Sequence, residues 1–248
     1  MRGMVFAAGL GTRLRPLTLD RPKALVEAGG EAMLGHVMRR LVAAGVTEAV
    51  VNVHHFPDKV IEYLNRHDNF GIEIHVSDER DLLLDTGGGL LAARQWLDKG
   101  DGEPVILHNA DIYADIDFRV MAEAHSRSGA MATLLVSARD SSRALLFDSG
   151  MRMRGWMNRK MSETRPAALD VTGLHGCAFN GVHVVSPAIF EPLERFAPSP
   201  KFSITDFYIS ACQDNDIRGY QSPADYLWAD VGTVEKLAVL DARLKNKR

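Results

Sequence analysis

Short apolar runs alternate with helical stripes of apolar residues through the first half of this 248-residue chain. Residues 4–8, 49–53 and 104–108 are such runs, with the length and composition of strands buried on both faces. The helical stripe between the first two runs consists of Leu34, Val37, Met38, Leu41 and Val42. Because strands that alternate with helices build parallel sheets, the pattern predicts an α/β fold with a mostly parallel central sheet and helices on both faces.

The second half of the chain follows a different pattern. Apolar runs at 133–136, 144–147 and 151–156, with the turn signal Asp148-Ser149-Gly150, predict antiparallel additions to the sheet. Residues 157–173 are polar without clear periodicity, and we expect them to form an excursion over the active-site side. A strand at 179–185, a short helix from Pro187 and a closing helix at 233–244 complete the prediction.

Composition excludes several classes of protein. The chain is 46% hydrophobic and 25% charged, with a net charge of −3, which favours a globular protein without nucleic-acid or membrane partners. The apolar start is closed by Gly9, too early for a signal peptide, and no run approaches the ~20 residues of a membrane helix. Cys177 and Cys212 match neither a zinc nor a disulfide pattern, so we expect buried thiols in a cytoplasmic protein.

A loop rich in glycine and arginine follows the first predicted strand. It reads Ala7-Ala8-Gly9-Leu10-Gly11-Thr12-Arg13-Leu14, and Arg21-Pro22-Lys23 comes soon after. Glycines directly after a strand let backbone N–H groups point at phosphate oxygens, and Arg13 and Lys23 supply compensating charge. The segment is neither a Walker A loop nor a dinucleotide fingerprint, since Leu14 stands where the third glycine belongs. It therefore predicts a polyphosphate cradle in which Ala8, Gly9, Gly11 and Thr12 contact a nucleotide.

The extended segment GLGTRLRPLTLDRPKAL resembles the signature of the sugar-1-phosphate nucleotidylyltransferases, also called nucleoside-diphosphate-sugar pyrophosphorylases. The resemblance continues to the element 228–233 and so covers nearly the whole chain. It implies a Rossmann-like nucleotidyltransferase fold and an EC 2.7.7 type reaction that joins a sugar 1-phosphate to a nucleoside triphosphate and releases pyrophosphate. It also implies catalytic roles for Arg13 on the triphosphate and leaving pyrophosphate, and for Lys23 on the reacting α-phosphate and sugar phosphate.

A second glycine-rich segment, Thr86-Gly87-Gly88-Gly89, lies ahead of a predicted helix. Consecutive glycines leave room for a flat base against the backbone, with Thr86 and peptide groups free to bind its edge. The segment resembles the base-contacting one of the family, and specifically that of short bacterial N-acetylmuramate-1-phosphate uridylyltransferases and related mannose-1-phosphate guanylyltransferases. Thr86, Gly87 and Gly88 are therefore predicted to bind the nucleotide; a plain loop that starts a helix is the alternative.

Two aspartates are candidate metal ligands. Asp111, in His108-Asn109-Ala110-Asp111, follows a predicted strand, where ligands bind in open α/β sheets, and a carboxylate there can hold Mg²⁺ against phosphates. Asp111 resembles the family's metal-binding Asp, although Ala110 replaces the usual glycine before it, and Asn109 joins the predicted nucleotide site. Asp230 resembles the family's second metal-side Asp, with helix capping as its alternative role.

Sugar contacts are predicted at two places. Residues 156–160, which include Asn158, stand where many relatives carry a Glu-Lys-Pro segment that this chain lacks. Asn180 and Gly181 lie in a predicted strand where relatives contact the sugar. The histidines form no HxH or HxxxH pattern, so none is predicted to bind a metal.

Together these patterns predict a single nucleotidyltransferase domain over residues 1–248. Residues of about 1–130 would bind a nucleoside triphosphate, UTP or GTP, residues of about 131–232 would bind the sugar phosphate, and residues 233–244 would close the chain as a helix. Mg²⁺ is the expected cofactor, cell-wall or surface-polysaccharide precursors are the expected products, and a monomer or small homo-oligomer is the expected state. A phosphocholine-type cytidylyltransferase and a non-catalytic nucleotide-sugar-binding regulatory subunit are the alternatives.

Overall fold

A computed structural model describes residues 1–247, which form fourteen strands and eight α-helices. The strands are β1 (Arg2–Phe6), β2 (Glu27–Ala28), β3 (Glu31–Ala32), β4 (Glu48–Val53), β5 (Glu73–Asp78), β6 (Val105–Asn109), β7 (Ile112–Ala114), β8 (Ala132–Ser137), β9 (Arg143–Phe147), β10 (Met153–Asn158), β11 (Glu163–Arg165), β12 (His175–Val185), β13 (Ile217–Tyr220) and β14 (Trp228–Asp230).

The helices are α1 (Met33–Ala43), α2 (Pro57–Arg66), α3 (Asp85–Ala92), α4 (Arg94–Leu97), α5 (Phe118–Ser128), α6 (Phe190–Phe196), α7 (Ile204–Ala211) and α8 (Val234–Lys245). Short 3₁₀ turns lie at Thr12–Leu14, Lys23–Leu25, Asp68–Gly71 and Pro187–Ile189. No helix in the described part of the chain is long and apolar enough to span a bilayer.

Ten strands form one mixed sheet in the order β11-β10-β9-β12-β6-β1-β4-β5, and β8 pairs with both β12 and β13. Strands β6, β1, β4 and β5 are parallel to one another, whereas β12 runs antiparallel to β6. The predicted parallel core with later antiparallel additions is therefore confirmed. A separate two-stranded sheet pairs β14 with β7 and so returns the end of the chain to the segment after β6.

Alternate residues of β1 point into opposite halves of the core. Met4 and Phe6 pack in the cluster under α3, α6 and α7, whereas Val5 packs in the cluster that contains the α1 stripe. All five residues of β1 are buried. This burial on both faces explains why the strand appears in the sequence as a continuous apolar run rather than as an alternation.

One segment differs from the sequence prediction. The run 133–136 forms β8, which pairs antiparallel with β12 and parallel with β13, and β9 and β10 form a hairpin around Asp148-Ser149-Gly150, as the turn signal predicts. The supposed polar excursion contains β11, which extends the sheet beside β10. At three residues, β11 is too short to show a periodicity in the sequence, and only its pairing with β10 identifies it as a strand.

Candidate active site

A cavity of about 420 Å³ lies at the carboxyl ends of β1 and β6, which are neighbours in the sheet. The chain places β4 and β5 on one side of β1 and then crosses to place β6 on the other, so the strand order reverses between β1 and β6. Clefts of open α/β sheets form at such a reversal, because the loops after the two strands diverge. Residues 6–13 and 109–111 accordingly line the cavity.

The loop after β1 turns sharply at Gly11. Its φ of +64° lies in the left-handed region, and a Cβ there would come within 2.9 Å of the Thr18 side chain, so this position requires glycine. Thr18 donates a hydrogen bond to the Gly11 carbonyl at 2.8 Å, and buried Leu14 anchors the following turn. The predicted nucleotide residues Ala8, Gly9, Gly11 and Thr12 all line the cavity, as does Arg13.

Lys23 faces this loop and donates a hydrogen bond to Asp111 Oδ2. Only 13% of the Lys23 side chain and 29% of the Asp111 side chain are exposed. Asp111 stands between β6 and β7, so the pair joins two segments that are 88 residues apart in the sequence. A mostly enclosed ammonium group thus lies at the cavity wall beside a carboxylate, and an incoming phosphate can exchange with that carboxylate as the lysine's partner.

Asp230 lies next to Asp111 because β14 pairs antiparallel with β7. The N–H of Val231 donates to the Asp111 carbonyl at 2.9 Å, and Lys236 Nζ lies 2.6 Å from Asp230 Oδ2. Burial alone would raise the pKa of Asp230, but the hydrogen bond and charge of Lys236 outweigh it and hold that pKa below its ordinary value. Asp230 does not cap α8, since that role belongs to Thr233, whose hydroxyl accepts from the Lys236 N–H.

Gly232 separates Asp230 from Arg13. A Cβ at this glycine would lie 2.9 Å from Asp230 Oδ1 and 3.3 Å from an Arg13 guanidinium nitrogen. This close packing brings the segment after β14 against Arg13, so the end of the chain helps to position the loop after β1. Nothing in the local sequence around Gly232 indicated this contact.

The chemistry of Asp111 and Asp230, two carboxylates, suits a hard divalent cation. Both residues lie at the paired ends of β7 and β14, and each carboxylate is bound by a lysine, but of the two only Asp111 lines the cavity. Carboxylate oxygens are preferred ligands of Mg²⁺, which usually completes its shell with water and substrate phosphate. Lys23 and Lys236 would have to release the carboxylates of Asp111 and Asp230 when a cation binds.

The glycine-rich segment of α3 packs against protein rather than opening onto the cavity. A Cβ at Gly88 would lie 2.1 Å from the carbonyl oxygen of Pro200, and one at Gly87 would lie 2.4 Å from the Phe202 ring. The Gly87 N–H donates to the Phe202 carbonyl at 2.9 Å. Of the predicted base contacts, Thr86 lines the cavity, but Gly87 and Gly88 do not. Their close approach is made by the segment 200–202, which carries Lys201 to the cavity wall.

The predicted sugar residues are in two different environments. Asn180 is 1% exposed, and Gly181 packs against Asn109, which lines the cavity; a Cβ at Gly181 would lie 3.0 Å from Asn109 Nδ2. Asn158 is buried in β10, where its side chain accepts from the Lys160 N–H at 3.1 Å. It does not line the cavity, because β10 lies near the far edge of the sheet.

Asn52 is a cavity residue that sequence reasoning missed. Its Oδ1 accepts from the Ala7 N–H at 2.7 Å, and its Nδ2 donates to Glu79 Oε1 at 2.7 Å. Burial raises the pKa of Glu79, although hydrogen bonds from Leu84 and Asn52 oppose the shift. Asn52 thus links the start of the loop after β1 to the loop before α3 by hydrogen bonds. A polar residue within the apolar run of β4 was the only signal available in the sequence.

A cluster of side chains of metal-ligand type lies on β4 and β5, outside any histidine spacing pattern. Glu48, Glu73 and His75 place one ligand atom each within 4.8 Å of one another at the β5 edge of the sheet. Glu48 is already bound by Lys99 at 2.7 Å and by His75 at 3.0 Å. The side chains form an ion-pair network on their own, well removed in the sheet from the cavity residues of β6.

The sequence of this chain matches one family of known proteins, and its fold matches solved structures of similar architecture. The family model described as "Nucleotidyl transferase" matches residues 2–147. The N-acetylmuramate alpha-1-phosphate uridylyltransferase of Caulobacter vibrioides is 34% identical, with 97% of this chain and 96% of that protein aligned. A mannose-1-phosphate guanyltransferase of Aspergillus oryzae is 30% identical over 94% of this chain, which spans 61% of that longer protein.

The fold is shared with solved structures of low sequence identity. A Bacillus anthracis protein crystallised with sucrose superposes with a TM-score of 0.82 at 17% identity, over 99% of this chain and 96% of the other. At that identity the agreement establishes the architecture alone.

Proposed function

The chain belongs to the nucleotidyl transferase family, and on that premise we propose that this sugar-1-phosphate nucleotidylyltransferase transfers a uridylyl group from UTP to N-acetylmuramate 1-phosphate. The relative that acts on N-acetylmuramate aligns over nearly the full length of both chains, whereas the mannose-1-phosphate relative is considerably longer. The observation that carries the assignment of the site is the mostly enclosed Lys23–Asp111 pair, which lines one cavity together with the Gly11 turn.

The geometry supports in-line attack of the sugar phosphate on the α-phosphorus of the nucleotide. The attacking group is already an anion, so no general base is needed, and catalysis rests on positioning and on charge stabilisation. Lys23 would stabilise negative charge on the α-phosphate as it develops. Arg13 would hold the β- and γ-phosphates and retain pyrophosphate as the bond to the α-phosphate breaks.

Asp111 and Asp230 would hold a divalent cation, for which we propose Mg²⁺. When bound, the cation would neutralise phosphate charge and help to orient the two substrates. Ala8, Gly9, Gly11 and Thr12 would contact the phosphates through the loop backbone. Thr86 and Asn109 would face the nucleoside, since both line the same cavity.

The sugar would lie beyond Asp111, towards Asn180 and Gly181. We propose that residues of about 1–130 bind the nucleotide and residues of about 131–232 bind the sugar phosphate, because the loop after β1 belongs to the first part and β12 to the second. Asn158 is not retained in this proposal, because it is buried away from the cavity.

A substrate matrix tests the proposal. The full-length chain with Mg²⁺ is assayed for pyrophosphate release with UTP, GTP, CTP, ATP and dTTP against the 1-phosphates of N-acetylmuramate, glucose, mannose and heptose, and against phosphocholine. UTP with N-acetylmuramate 1-phosphate should give the highest kcat/KM. A higher value for another pair would replace the substrate assignment. Nucleotide binding without release from any pair would support the non-catalytic alternative.

A further inference from the structure

Three neutral groups hold the guanidinium of Arg139, which lies between β8 and β9. Its Nε donates to Asn180 Oδ1 at 3.0 Å, and one Nη donates to the Phe179 carbonyl at 2.9 Å. The guanidinium carbon lies 4.3 Å from the centre of the Trp228 ring, in the geometry of a cation–π contact. These contacts fix the plane of the guanidinium and leave the remaining N–H groups of its other Nη free to bind a ligand.

The groups that hold Arg139 are themselves fixed. Asn180 is 1% exposed, and its Nδ2 donates to the Tyr226 hydroxyl at 2.9 Å. The Trp228 indole N–H donates to the Asn180 carbonyl at 2.9 Å. Arg139, Asn180, Tyr226 and Trp228 therefore form one connected unit, here called the Arg139 cluster. Because its members hold each other in place, the cluster is preorganised rather than an accidental surface contact.

Arg139 has no carboxylate partner among the described residues. Within residues 1–247 no Asp or Glu oxygen lies within 4.0 Å of its guanidinium, whereas Arg159 nearby pairs with Asp140 at 3.8 Å. Partial burial lowers the pKa of Arg139, and the more distant charge of Asp230 opposes that shift. The side chain nonetheless remains exposed enough to meet a ligand. Its fixed cationic group can therefore bind an anionic group of a ligand, since no described residue supplies one.

The cluster borders the sugar side of the active site. Trp228 and Asp230 are alternate residues of β14 and so face the same side of that strand. Gly181, next to Asn180, packs against cavity residue Asn109. Arg139 itself does not line the phosphate cavity. A group that it binds must therefore lie farther from the reaction centre than the phosphates held by Arg13 and Lys23.

We infer that Arg139 binds the carboxylate of an acidic sugar 1-phosphate and selects it over neutral sugars. The inference rests on the proposed function, and it extends that function to a substrate class and a specificity residue. N-acetylmuramate carries a carboxylate on its lactyl ether, whereas N-acetylglucosamine is the same sugar without that group. The planar guanidinium can bind the carboxylate through parallel N–H···O bonds, which a neutral sugar cannot satisfy.

The test compares these two sugar 1-phosphates with the intact enzyme and with Arg139→Met. In the variant, kcat/KM for N-acetylmuramate 1-phosphate should fall about tenfold or more relative to the value for N-acetylglucosamine 1-phosphate, as expected for loss of a charged hydrogen bond. Arg139→Lys should restore part of the ratio. Arg195→Met, a change on the exposed face of α6, should leave the ratio unaltered. An equal loss for both sugars, or no loss, would refute the carboxylate role.

A binding measurement separates failure of this inference from failure of the proposed function. Titration of free N-acetylmuramic acid, which lacks the phosphate, can be followed by calorimetry and by tryptophan fluorescence, to which Trp228 contributes. Binding to the wild type that Arg139→Met abolishes would support the subsite even if the substrate matrix shows no turnover. Equal binding to both proteins, or binding to neither, would overturn the inference whatever the turnover results are.

Discussion

We propose that the Lys23–Asp111 ion pair serves both the resting protein and the reaction. In the protein alone each neutralises the other inside a partly enclosed cavity. On this proposal, phosphate oxygens would replace the carboxylate around the ammonium group when nucleotide binds, and the cation would take over the carboxylate, so that neither charge is left unpaired. The lysine would then reach the transition state without a large conformational change.

Lys23→Ala should leave the protein folded and lower kcat by orders of magnitude, because the charge that would stabilise the α-phosphate is lost. Steady-state kinetics of pyrophosphate release measure the effect, with circular dichroism to check the fold. Lys245→Ala removes an exposed lysine on α8 and should match the wild type. Unchanged kcat and KM in Lys23→Ala would exclude the proposed role.

Asp111 and Asp230 predict dependence on a divalent cation. Excess chelator should abolish pyrophosphate release and added Mg²⁺ should restore it, while Asp111→Asn should need a higher Mg²⁺ concentration, because an amide is a weaker ligand than a carboxylate. Titration of activity against Mg²⁺ gives the measurement, and Asp214→Asn, on the exposed surface, is the control. Full activity in chelator would remove the cation from the mechanism.

The glycines of helix α3 act in packing between elements. Its glycine face allows the segment 200–202 to dock on the helix, with Thr86 Oγ1 accepting from the Ile204 N–H at 3.0 Å. This docking joins the start of α7 to the cavity wall and presents Lys201 there. A glycine run that suggests a ligand surface in the sequence is, in three dimensions, an interface between two elements.

Gly88→Val should destabilise this interface by about 1–3 kcal/mol, because the added side chain meets the Pro200 backbone, which cannot move aside as a flexible side chain would. Nucleotide affinity should fall with it, since Lys201 is displaced. Urea unfolding and calorimetric titration of UTP are the measurements. Gly150→Ala, at an exposed turn, should change neither. An unchanged or raised free energy of unfolding with unaltered UTP affinity would contradict the packing argument.

The whole molecule carries buried histidines on both sides of the central strands. Burial lowers the pKa of His108 and of His125 to about 4 and that of His183 to about 3. The two ring nitrogens of His125 form hydrogen bonds with the hydroxyls of Thr133 and Ser186, both at 2.9 Å. His183 Nδ1 forms one with the Tyr208 hydroxyl at 2.6 Å. The folded state thus keeps all three rings neutral at pH values where an unfolded chain would protonate them.

Stability should therefore be full above the unfolded histidine pKa of about 6.5 and decline as the pH falls towards 4. Each neutral histidine contributes a slope of about 1.4 kcal/mol per pH unit within that window. Urea unfolding at intervals from pH 7 to pH 5 measures it; His125→Gln should reduce the slope, and exposed His67→Gln should not. A free energy of unfolding that is constant over this range would contradict the neutral-histidine interpretation.

Local sequence determined much of the chemistry of this protein. Gly11, Arg13, Lys23 and Asp111 were predicted as site residues, and the structure brings all four to one cavity. They were accessible to prediction because a glycine turn after a buried strand and a charged residue beside it are local patterns. The parallel core was predictable for the same reason, since each of its strands and helices shows its own hydrophobic pattern in the local sequence.

Only the tertiary structure decided which distant residues meet. The pairing of β8 with β12, the docking of Pro200 on Gly88 and the seating of Arg139 on Trp228 all join segments far apart in the chain. No local pattern encodes such contacts, because they depend on the order of strands in the sheet and on how loops pack after the sheet forms. The sequence thus specified the residues that line the cavity after β1 and β6, whereas the surroundings of Arg139 and Asn180 were specified by packing between elements.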